Sequence, residues 1–158
     1  MKTMRRSFLI AFVVASLSLF LVVSDSSAEI SYIGEVCIDL TSLYRDSPYY
    51  VPAKTAQLGI LSYGAGYFSL NGKITDANSR VMPAVGTALL NADNAVLTLT
   101  AALGIYSETY SITVDLKTLS GSFSSIVHET FFSGPPPTPD QVISRYDKGD
   151  AVLQGCSK

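Results

Sequence analysis

Few side chains in this sequence are suited to chemistry, and they are scattered. His128 is the single histidine, with Ser124 and Ser125 just before it. Serine hydrolysis needs a histidine base set between a serine and a carboxylate. Nothing in the spacing assembles that trio, so His128 reads as a residue on the solvent side of a strand. Zinc sites want clusters of His and Cys, and one histidine with two cysteines expected to be oxidised makes none. Glu35, Asp39 and Asp115 fall on outward faces and read as solubilising charges. Gly64-Ala-Gly66 precedes no helix, so its glycines serve a turn rather than a phosphate loop. The expectation is a protein that is not an enzyme and uses no cofactor or metal. The tyrosines suggest more. Of nine, Tyr44, Tyr49, Tyr50, Tyr63 and Tyr106 fall in or beside connections, where a ring with a polar tip suits the rim of a binding site.

The elements that must position these groups are strands. From Gly66 to Phe132 apolar and small polar residues alternate, and a period of two places successive side chains on opposite faces of a sheet. Phe68, Leu70 and Ile74 share one face, as do Val81, Val85, Thr87 and Leu89, with Ala84, Gly86 and Ala88 opposite. Leu97 and Leu99 follow, then Tyr110, Ile112, Val114 and Leu116, then Leu119, Phe123, Ser125 and Val127. Asp76–Ser79 and Asn91–Asn94 are turn clusters. Connections this short make an antiparallel meander, since parallel pairing needs a dozen or more connecting residues.

Residues 1–28 read as a signal peptide. Lys2, Arg5 and Arg6 precede an apolar run from Ser7 to Val23, and Ser26-Ser-Ala28 offers small residues for cleavage. Residues 29–158 are then a single domain, exported to the periplasm or secreted; the lack of an Asn-X-Ser/Thr sequon fits a bacterial source. The leader takes three of the 11 basic and one of the 13 acidic residues, leaving a net charge near −4. That is no footprint for nucleic acid.

Within the domain, Ser31–Thr41 reads as a strand with Tyr32, Val36, Ile38 and Leu40 on its apolar face. A loop, 42–52, and a strand from Lys54 to Tyr63 come next. After Phe132 the run Pro135–Pro139 reads as a stiff spacer. Thr138-Pro-Asp-Gln141 predicts a helix start, with Thr at the N-cap and Gln at N3, and Val142, Ile143 and Tyr146 on one face of two turns ending at Gly149. A short strand, Ala151–Cys156, closes the chain. Cys37 and Cys156 are an even pair in an exported chain, which reads as a disulfide. Bonded, they make the first and last strands neighbours. The predicted fold is therefore all-β: an eight-stranded antiparallel up-and-down barrel with a short helix before the last strand. A two-sheet sandwich and a lipid-facing outer-membrane barrel are the competing folds; the uncharged polar faces and the Gln-Gly-Cys-Ser-Lys158 end weigh against lipid.

This order of parts resembles the calycin group, the lipocalin-like and avidin-like barrels, over most of residues 30–156. Gly34-Glu-Val36 stands where lipocalins carry Gly-X-Trp, though this chain has no Trp and its helix precedes the eighth strand. The resemblance implies that the barrel binds a small apolar ligand at its open end. Tyr44, Tyr49 and Tyr50 would be at the rim, with Phe68, Leu70, Leu97, Leu99, Tyr110, Ile112 and Phe123 inside. The alternative is a structural or protein-interaction module whose barrel is filled by those same side chains, as small eight-strand barrels can be. The expected partner is a small apolar molecule, without nucleic acid and without stable membrane insertion after cleavage.

Overall fold

The computed structural model describes residues 30–131 and 141–156. Eight strands follow one another: β1 (Ser31–Arg45), β2 (Ala53–Ser62), β3 (Tyr67–Asp76), β4 (Val81–Asn91), β5 (Asn94–Leu103), β6 (Tyr106–Asp115), β7 (Ser120–Phe131) and β8 (Gln141–Gln154). Each pairs antiparallel with the next, and β8 returns to β1, so the sheet is a closed up-and-down barrel. Closure removes the free sheet edges that invite aggregation. Cys37 and Cys156 are bonded across the β1–β8 seam, with their Cα atoms 5.1 Å apart. The residues read as a leader, 1–28, and the proline-rich segment 135–139 lie outside the described residues.

Among the described residues the helix expected before the last strand is not there, and its expected start, 138–140, lies outside them. Val142, Ile143 and Tyr146 belong to β8, which runs from Gln141 rather than from Ala151. Two turns of helix are marginal alone, whereas as a strand this segment pairs along β7 from Phe131 to Ser120 and along β1 from Arg45 to Cys37. It also places Asp147, Gly149 and Ala151 on the inside at period two. Tertiary pairing outweighs the local start signal.

Two faces differ from their sequence reading as well. In β1 the register shifts between Tyr32 and Gly34, and Gly34 takes φ +139°, a value that favours glycine. The extra residue reverses the parity, so Tyr32 points outward while Val36, Ile38 and Leu40 point in. In β4 the inner face is Met82, Ala84, Gly86 and Ala88, and Val85 is 63% exposed. The alternation is there, but the smaller set faces inward. A Cβ on Gly86 would meet Thr98 O and the Leu99 side chain. Larger residues from neighbouring strands fill that space, the small–large complementarity by which narrow barrels pack. The core comprises Ile38, Leu58, Ile74, Leu99, Ile112 and Val114 with their neighbours.

Candidate functional site

The two ends of the barrel differ in chemistry because strand direction sorts the inward residues. The end at the chain termini and the β2–β3, β4–β5 and β6–β7 turns is apolar. Val36 on β1, Ile60 on β2, Phe68 and Leu70 on β3, Leu97 on β5 and Leu153 on β8 line an open cup of about 170 Å³, with no polar wall. Ala88 and Ala95 are small enough to leave the space.

Below the cup the barrel is solid. Along β1 the inward residues after Val36 are Ile38 and Leu40; along β5 Leu99 follows Leu97; along β6 Val114 and Ile112 follow the cup-lining Leu116. All five are buried in the core.

Beyond this waist polar side chains join the inward Ala53, Met82, Ala101 and Val127. Glu108 and Asp147 are 1% and 0% exposed. Tyr50 reaches in from the loop 46–52 and its hydroxyl donates to Glu108 Oε1, while Tyr106 donates to Oε2 at 3.0 Å. Ser42 donates to Asp147 Oδ1 at 2.5 Å. Tyr110, Ser125 and Asp147 are direct cross-strand partners on β6, β7 and β8. The Tyr110 hydroxyl, Ser125 Oγ and Asp147 Oδ2 are buried without a hydrogen-bond partner among the described residues. Burial, then the charge of Glu108, pushes the phenols of Tyr50, Tyr106 and Tyr110 above the ordinary tyrosine range. Burial likewise raises the Asp147 carboxyl, against the lowering effect of the Ser42 hydroxyl. At the rim Arg80 pairs with buried Asp76 at 2.9 Å and lies 5.2 Å from the Tyr106 ring centre.

The residues expected to bind a ligand are thus divided. Phe68, Leu70 and Leu97 line the cup. Leu99, Ile112 and Phe123 belong to the packed core. Tyr110 and Tyr50 lie at the opposite, polar end, and Tyr44 and Tyr49 are exposed, Tyr49 at 86%. Glu108 and Asp147 had no place among the sequence candidates. Glu108 carries the same parity as Tyr110, Ile112 and Val114, which was a readable signal; Asp147 was hidden by the helix assignment. His128 faces outward with Nδ1 3.0 Å from Ser144 Oγ, whereas Ser125 faces inward, so the two do not meet. A shallow groove outside the barrel, lined by Ser111, Thr113, Ser122 and Ser124, is roomier at about 430 Å³. It lies on the outer faces of β6–β8 and its lining is mixed polar and apolar.

No protein-family model matches the chain, no curated protein is significantly similar to it, and no solved structure matches it significantly. Its closed eight-strand meander is compatible with a calycin-like fold.

Proposed function

We propose that this protein is an exported binding protein whose apolar cup takes a small apolar molecule or the apolar end of a longer one. The observation that supports this is the cup itself: about 170 Å³, walled by apolar side chains and open at one barrel end. A closed cavity of about 150 Å³ with similar walls stays dry and takes benzene. Drug-sized ligands fill roughly 300–1,000 Å³, so this cup suits a ring or the tip of a chain, with the rest of the ligand outside. The disulfide fits an oxidising compartment. The protein works by binding rather than catalysis, outside the cytoplasm and without inserting in a membrane.

The solid waist favours a second reading, a structural or interaction module in which the barrel is a scaffold. Calorimetric titration with a series of straight-chain alcohols separates the two. Under the binding reading each added methylene strengthens affinity by about 0.8 kcal/mol until the tail meets the waist, after which affinity is flat. Ala88→Phe, which fills the cup, abolishes the effect. Absence of saturable binding across the series overturns the binding reading and leaves the scaffold.

A further inference from the structure

We propose that the polar end of the barrel is a second binding site, for a small protonated amine held by the buried oxygens of Tyr110, Ser125 and Asp147 that have no partner among the described residues. These three residues are consecutive cross-strand partners, so their side chains enter the barrel side by side rather than as three unrelated defects. Leaving one such group buried and unpaired is costly, and native structures rarely tolerate a cluster of them without a partner. The trio therefore marks a place built to be occupied.

The chemistry of the occupant follows from what is missing. Two carboxyl groups, Glu108 and Asp147, are buried here, and neither has an ion pair among the described residues. Of the nearby bases, Arg80 is paired with Asp76, Arg145 with Glu129 at 3.5 Å, and Arg45 donates to the Tyr50 carbonyl at 3.1 Å. A primary ammonium brings the missing positive charge and three N–H donors, one for each orphan oxygen. A divalent metal fits less well: it wants six or more converging oxygens, and both Glu108 oxygens already accept phenol hydroxyls.

Tyr50 is the entrance. It is 3% exposed, yet it belongs to a loop and is fixed by its hydroxyl on Glu108, by Arg45 and by its own N–H to Ser47 O at 3.3 Å. Among the described residues it is the side chain whose outward swing vacates space for a ring beside Glu108.

The test titrates the oxidised full chain with benzylammonium, using benzyl alcohol and benzoate as neutral and anionic counterparts, followed by calorimetry and NMR. Saturable binding is expected, with benzylammonium preferred over benzyl alcohol by roughly tenfold or more, as befits charge-assisted hydrogen bonds. Tyr50→Ala tightens binding, and Asp147→Asn removes the preference. Ser125→Ala weakens it and serves as the second variant if Asp147→Asn fails to fold. Ala88→Phe, which blocks the apolar cup, leaves it unchanged, so failure of the cup reading and failure of this one are distinguishable. Equal uptake of amine and alcohol, loss of amine binding in Ala88→Phe, or binding by Tyr50→Ala alone overturns the proposal. So does a crystal structure at saturating amine with only water on the three oxygens.

Discussion

Cutting the Cys37–Cys156 bond is the sharpest perturbation of this barrel. The two residues are 119 positions apart, so the bond closes nearly the whole described chain into one loop. In the chain-entropy treatment a loop of that length restrains the unfolded state by about 5 kcal/mol. Total stabilities of single domains are about 5–15 kcal/mol, so the loss takes a large share while the β1–β8 ladder still closes the folded barrel. The Cys37→Ala/Cys156→Ala chain and the wild type are unfolded in urea and followed by circular dichroism. With a denaturant slope of about 2 kcal/mol/M, the midpoint drops by roughly 2.5 M. Val36 and Leu153, which line the cup, sit beside the bond's β1 residue in sequence and register, so affinity for the alcohols weakens in the same variant. A midpoint shift under about 0.5 M at unchanged slope refutes the reasoning, because the bond would then place no large restraint on the unfolded chain.

Other outcomes follow from single contacts. Gly121→Ala puts a Cβ 1.9 Å from Thr113 O, on backbone that cannot yield cheaply, and costs about 3 kcal/mol or prevents folding; urea midpoints measure it. Tyr50→Phe strips Glu108 of one of its two phenol donors and costs roughly 1.5–3 kcal/mol, while Tyr49→Phe at the exposed neighbour leaves the midpoint in place. Asp147→Asn changes how stability depends on pH. The raised carboxyl keeps its proton in the folded state while the unfolded one, at 3.8, gives its proton up, so wild-type stability falls as pH climbs above 3.8 until the folded group ionises too. The variant lacks that fall and so gains on the wild type as pH rises above 3.8; a pH-independent difference in melting temperature would contradict it.

Strand number, meander order and closure were legible because alternation, short turns and one cysteine pair all point to the same answer. Parity was less so. A period of two says that residues alternate but not which set is inside, and in β4 volume decided for Ala84 and Ala88 against Val85 and Leu89. In β1 the extra residue before Gly34 shifted Tyr32 outward, a change that hydropathy alone does not register. Gln141–Gly149 carried a local helix signal that pairing with two strands overrode, and with it went the inward placement of Asp147. Tyr50 looked like a loop aromatic, and it is one; its burial depends on Glu108, 58 residues away in sequence.

Both described ends of the polypeptide, Ile30 and Cys156, emerge beside the cup, whereas the loop 46–52 lies at the far pole. Any tether attached through either end therefore points the greasy opening toward whatever holds the tether and the tyrosine-gated pole away from it. An affinity tag fused at residue 30 or 156 would crowd the opening and blunt hydrocarbon uptake. One inserted at Asp46–Pro48 would leave that opening clear.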